Sequence, residues 1–80
     1  MARLVYGQLV EFTDQAVIYQ FAENQDDNWD GTLVIPHADP EAWYVDGIDE
    51  RPSAASAVAL KARRAFDKTG EWPEGVAFQS

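Results

Sequence analysis

A single stretch of this chain, residues 53–69, has the pattern of a helix, so its apolar face must be covered by strands. Ser53 can cap the helix, alanine fills four of the positions 54–59, and Gly70 follows where a left-handed terminator belongs. On a helical wheel six residues share one face: Ala54, Ala55, Val58, Ala62, Ala65 and Phe66. A face built mostly of alanine allows the helix axis to lie close to a sheet.

The remainder of the chain alternates apolar and polar residues with the period of a strand. We predict strands at about residues 3–12, 16–23, 31–36 and 42–46, and a short final edge strand at 75–79. Turn residues separate consecutive strands, which favours a β-meander whose strands are neighbours in chain order. We therefore predict one α+β domain over residues 1–80, an antiparallel sheet of about four strands with one C-terminal amphipathic helix on one face.

The larger core side chains are expected from the first two strands. We predict that Tyr6, Val10, Tyr19 and Phe21 fill the space beneath the alanine face of the helix. Leu60 falls on the polar face of the same helix, among lysines and arginines.

The chain is acidic, with fourteen acidic and six basic residues and a formal net charge of −8. Residues 1–50 hold eleven acidic residues and one basic residue, whereas residues 51–80 hold three acidic and five basic residues. Nucleic-acid binders neutralise phosphates with clustered lysine and arginine, so we expect no direct binding to DNA or RNA. An acidic surface instead favours a basic or mixed-charge partner.

The sequence lacks the residues or motifs that most kinds of catalytic site require. There is no cysteine, His37 is the sole histidine, and the serines stand in no G-x-S-x-G setting. No glycine-rich phosphate loop and no apolar run long enough for a membrane span are found. We expect a cytoplasmic protein that is not an enzyme, uses no cofactor and does not enter a membrane.

The sharpest local motif is the segment 26–31, Asp-Asp-Asn-Trp-Asp-Gly. It fits the first half of an EF-hand calcium loop, D-x-[DN]-x-[DN]-G, with Asp26, Asn28 and Asp30 as candidate metal ligands. The twelfth position of such a loop should be a bidentate glutamate, but His37 occupies it, and neither flank has a helical pattern. We interpret the segment first as a polar hairpin loop and keep calcium binding as the alternative.

Three tryptophans in 80 residues also need a place. We expect Trp43 and Trp72 to fold back over the small core, and Trp29 to stay exposed, since its loop is polar. The leading hypothesis is a non-catalytic protein-interaction or regulatory module whose partner is another protein. The candidate contact residues are Trp29, Asp26, Asp27, Asp30, Leu60 and Arg64. A calcium-binding domain and an acidic inhibitor that mimics nucleic acid are the alternatives.

Overall fold

The computed structural model describes residues 4–23 and 29–79 and contains a five-stranded antiparallel sheet with one helix packed against it. The elements are β1 (Leu4–Phe12), β2 (Ala16–Glu23), β3 (Gly31–Pro36), β4 (Tyr44–Val45), α1 (Ser53–Thr69) and β5 (Gly75–Gln79). The predicted α+β class is therefore confirmed.

The strand order across the sheet is β4-β3-β2-β1-β5. The first four strands are neighbours in chain order, as predicted, and β5 extends the sheet by pairing with β1. The fourth strand is shorter than the predicted 42–46, because a 3₁₀ turn occupies Pro40–Ala42 and only Tyr44–Val45 pairs with β3. Asp39 caps that turn through its carboxylate, which accepts the N–H of Glu41.

The helix begins and ends close to its predicted bounds, with one difference at the start. Pro52, not Ser53, is the N-cap residue, and its carbonyl accepts the first helical hydrogen bond from Ser56, 3.0 Å away. At the other end Gly70 adopts the left-handed conformation, with φ of 81°, and its N–H donates to the Phe66 carbonyl at 2.7 Å. This is the αL cap that the glycine predicted.

The core lies between α1 and one face of the sheet, which we call the inner face. Tyr19 and Phe21 are buried there as predicted, but Tyr6 and Val10 are not part of it. Tyr6 points to the opposite face, and Val10 lies at an irregularity between Leu9 and Glu11, where the β1–β2 register shifts.

Glycine explains why the buried face of β1 was misassigned. Val5, Gly7 and Leu9 lie on the inner face, and Gly7 made this set the less apolar of the two alternating sets. A Cβ at residue 7 would lie 2.5 Å from Cγ1 of Val58, so glycine is what permits the helix to approach β1. Close approach of the helix replaces side-chain bulk at this position.

The opposite side of the sheet, which we call the outer face, is not covered by any described helix. Ile18, Val34 and Tyr44 are direct cross-strand neighbours on it, and Gln8, Gln20 and Thr32 form the adjacent row. Among the strand residues that the structure describes on this face, only Glu11, opposite Ile18 at the edge of the sheet, is charged. In the described part of the chain, no helix has the length and apolar character needed to cross a membrane.

Candidate functional site

A cleft of about 440 Å³ opens where the C-terminal end of α1 meets the C-terminal ends of β1 and β3. Its lining is dominated by aromatic rings and carboxylates: Phe12, His37, Phe66, Gly70, Glu71, Trp72 and Glu74. Of the described residues that line it, none is lysine or arginine. We call this the aromatic cleft.

One wall of the aromatic cleft is built by the end of the helix and the turn after it. The left-handed Gly70 reverses the chain, so that the Trp72 ring stacks on the Phe66 ring with centroids 4.6 Å apart and planes inclined by 17°. Trp72 packs against the core as predicted from the sequence. The stacked rings of Phe66 and Trp72 line the cleft together with Glu71, which lies in the turn between them.

The turn that carries Trp72 is held at several points. The Tyr19 hydroxyl donates to the Pro73 carbonyl at 2.5 Å, and the Leu9 N–H donates to the Glu74 carbonyl at 2.8 Å. The Thr69 hydroxyl is 3.2 Å from the Glu71 carbonyl. Side chains on such a turn are preorganised, which lowers the entropy lost when a ligand binds.

The second wall is formed by Phe12 and His37. Their ring centroids lie 4.8 Å apart, and the His37 Nε2–H donates to the Thr13 carbonyl at 2.9 Å. The His37 backbone N–H also donates to the Gln15 carbonyl, so the β1–β2 turn fixes the histidine. Phe12 is 62% exposed and lines the cleft, so much of its ring is open to solvent there.

The composition of the cleft is suited to an organic cation. Aromatic faces attract lysine or arginine through the negative potential of their π-electrons, and the attraction strengthens when the cation loses water. Two acidic residues, Glu71 and Glu74, line the same cleft. A guanidinium or ammonium group is thus the ligand class that this lining complements.

The anchoring tyrosine gives a stability prediction with a defined pH dependence. Burial raises the pKa of the Tyr19 hydroxyl above its ordinary value of 10.0. The folded state therefore holds this proton more tightly than the unfolded state. The protonated Tyr19 hydroxyl contributes fully to the free energy of unfolding below about pH 10. This contribution is lost as the pH rises further, by at most about 1.4 kcal/mol per pH unit.

Replacing Tyr19 by phenylalanine tests this anchor. At neutral pH we expect Tyr19→Phe to lower the free energy of unfolding by about 1–2 kcal/mol, because the Pro73 carbonyl loses its donor. Urea unfolding between about pH 8 and pH 11 should show the gap to wild type shrinking above about pH 10. The half-exposed Tyr44→Phe is the control, and parallel pH profiles for Tyr19→Phe and wild type would contradict the prediction.

The residues predicted to contact a partner do not form one site. Trp29 is 40% exposed, in agreement with the sequence prediction, but it precedes β3, whereas His37 follows it. Six strand residues span about 20 Å, so Trp29 and the aromatic cleft lie at opposite ends of the sheet. The Asp30 carboxylate accepts the Glu23 N–H at 2.8 Å, which is a structural role in the hairpin.

Leu60 and Arg64 lie on the helix, away from both places. Leu60 is 48% exposed and lines a second groove of about 460 Å³ with Trp43 and two arginines, Arg51 and Arg63. The Arg51 guanidinium stands 4.5 Å from the Trp43 ring centroid and donates to the Glu41 carbonyl at 3.0 Å. Arg64 is exposed but does not line this groove.

The predicted calcium loop lies largely outside the described residues, which exclude Asp26, Asp27 and Asn28. Of the three candidate ligands only Asp30 is described, and its carboxylate accepts the Glu23 N–H. Within residues 4–23 and 29–79, no three histidine or acidic side chains are grouped closely enough to hold a metal ion.

Sequence reasoning missed the aromatic cleft because its residues are far apart in the chain. Phe12, His37 and Trp72 come from three separate segments that only the sheet order brings together. One signal was available: an αL glycine cap often brings a residue beyond it against the last turn of the helix. Phe66, Gly70 and Trp72 have that spacing.

Comparisons with known proteins give no assignment. No family model matches the chain, and no curated protein and no solved structure shows significant similarity to it.

Proposed function

We propose that this chain is a non-catalytic protein-interaction module that binds a basic segment of another protein, with the aromatic cleft receiving a lysine or arginine side chain. The observation that carries the proposal is the lining of that cleft, which includes four aromatic residues and two glutamates. An apolar ligand would gain nothing from the carboxylates, and an anion would be repelled by them. A cation is favoured by both groups.

The charge of the whole chain supports the same class of partner. A net charge of −8 on 80 residues attracts a basic protein over a distance of about one Debye length and raises the association rate. Electrostatic steering of this kind weakens as salt is added. Trp29 and Asp30, both exposed, are a second place where an extended basic partner could make contact.

The direct test is titration with two peptides of equal length. One carries several lysines and arginines, and in the other norleucine replaces each lysine and citrulline each arginine, so that the charge is lost and the bulk is kept. We expect only the basic peptide to shift the NMR signals of Phe12, His37 and the Trp72 indole. Its affinity should fall several-fold between about 50 and 200 mM salt.

Variants of exposed residues then locate the contact. Phe12→Ala should weaken binding of the basic peptide by about 5- to 30-fold, equivalent to about 1–2 kcal/mol. Glu71→Gln and Glu74→Gln should each weaken it about 3-fold and reduce its salt dependence. Tyr44→Ala and Glu50→Gln remove the same chemical groups away from the cleft and should leave binding unchanged.

Two results would overturn the proposed site. Equal binding of the charged and uncharged peptides would show that the cleft does not select a cation. Loss of binding in Trp29→Ala, with Phe12→Ala unaffected, would place the partner at the β2–β3 end of the sheet instead.

A further inference from the structure

The outer face of the sheet differs from the rest of the surface in its charge. A quarter of the chain is charged, yet the outer-face residues of the five described strands include one charged side chain, Glu11, which lies opposite Ile18 at the edge of the sheet. The centre consists of the apolar row Ile18, Val34 and Tyr44 beside a row of uncharged polar residues. Tyr44 is 50% exposed, so the apolar row opens to solvent.

We infer that this face is an interface between two copies of the chain, which pack sheet against sheet as a dimer. The inference is independent of the aromatic cleft, which lies at the junction with α1. In such a dimer both clefts remain open on the outside.

The absence of charge indicates a partner of the same sign. A face that binds a basic partner is expected to carry acidic residues, because they attract it. The chain has fourteen acidic residues, yet the described strands carry one of them on this face. For a second copy with its own charge of −8, acids on the face would meet acids and oppose binding. A face whose described strands carry one acidic residue, Glu11, opposes self-association far less than the rest of the acidic surface would.

The polar residues of the face complement themselves. Gln8 and Gln20 are direct cross-strand neighbours, and Gln20 faces Thr32 on the other side. An amide is both a donor and an acceptor, and so is a hydroxyl, so each can bond to its own copy across a two-fold axis. Gln20 stands in β2, the central strand, where a two-fold axis through the middle of the face would pass.

Tyr6 adds a further polar group to the same face. Its hydroxyl is shielded from solvent and has no hydrogen-bond partner in the described part of the chain. Buried hydroxyls in native proteins are usually satisfied. Because the hydroxyl is already shielded within one copy, an amide of a second copy reaches it only if the side chains that cover it move apart.

The size of the face indicates a weak interface. The strands range from the two residues of β4 to the nine of β1, and at about 3.3 Å per residue and about 4.8 Å between strands their 30 residues give a flat footprint of about 480 Å² per copy. Two footprints sum to about 960 Å², below the range of stable interfaces that begins at about 1,200 Å². We therefore expect a reversible dimer that dissociates on dilution.

Sedimentation equilibrium of the full chain between about 1 and 500 µM tests the proposal. We expect a monomer–dimer equilibrium that tightens several-fold as salt is raised from about 50 to 500 mM, because salt screens the repulsion between two acidic copies. This is the opposite of the salt effect expected for a basic peptide. A chain that remains monomeric at about 500 µM would overturn the inference and leave the face to an unlike partner.

Charge variants locate the interface without removing side-chain bulk. Gln20→Glu should weaken the dimer at least about 10-fold, and mixing Gln20→Glu with Gln20→Lys should restore association as a heterodimer. Leu60→Glu, on the exposed side of α1, introduces the same charge elsewhere and is the matched control. An equal loss of dimer in Leu60→Glu, or no loss in Gln20→Glu while circular dichroism shows both variants folded, would exclude the outer face.

Discussion

Replacing Gly7 by alanine is expected to lower the free energy of unfolding by about 1–3 kcal/mol. The new methyl group would lie 2.5 Å from Cγ1 of Val58 and 2.9 Å from Cγ2 of Val76, so the helix or the last strand must move. The total stability of an 80-residue domain is about 4–12 kcal/mol, so the loss is a large fraction of it. Urea denaturation monitored by circular dichroism measures the difference.

The neighbouring strand offers a matched control for this substitution. Gly75 sits one strand away, and the nearest atom to a Cβ there is the Gly7 carbonyl oxygen at 3.7 Å, which is ordinary contact. Gly75→Ala should therefore change stability by less than about 0.5 kcal/mol. If Val58→Ala is combined with Gly7→Ala, the two losses should sum to less than their separate values, because the contact is between them. Additive losses would show that the helix does not approach β1 at this point.

Replacing Phe21 by alanine should have the largest effect of the changes considered. Phe21 is 2% exposed on the inner face, and its ring lies under Gly31, where a Cβ would be 2.9 Å from Cζ. Deleting a buried phenylalanine side chain costs about 3–5 kcal/mol, partly from lost transfer energy and partly from the cavity left behind. For a domain of this size we expect much of the population to be unfolded at about 37 °C.

The same substitution at Phe12 separates fold from function. Because Phe12 is 62% exposed, Phe12→Ala should cost less than about 1 kcal/mol while weakening the binding of a basic peptide. Thermal unfolding of both variants compares the two sites directly. A loss of several kcal/mol in Phe12→Ala would show that its ring is a core residue and that the aromatic cleft is closed in solution.

Local patterns in the sequence predicted the elements well, because each element depends on neighbouring residues. The alanine-rich run and Gly70 define the helix, and alternation defines β1, β2 and β3. The face of β1 that is buried could not be read the same way. It depends on Gly7 meeting Val58, a contact between residues 51 positions apart.

The fourth strand shows a different limit. Residues 42–46 have the composition of a strand. Asp39 and Pro40 nevertheless start a 3₁₀ turn that includes Ala42. A candidate site is harder still, since the aromatic cleft needs the ends of β1 and β3 to meet the end of α1. No local pattern contains that information. Tertiary placement of ordinary residues, not a motif, creates this site.

The pairing of β5 with β1 has a consequence for how the chain folds. Leu4 lies opposite Gln79, so one ladder of the sheet joins residues 75 positions apart. Loop closure over that distance delays the pairing, and domains dominated by such contacts fold slowly. During synthesis one edge of β1 stays unpaired until residues 75–79 have left the ribosome. The β1–β2 and β2–β3 hairpins can form earlier, and they keep β1 in an extended conformation to which β5 then pairs.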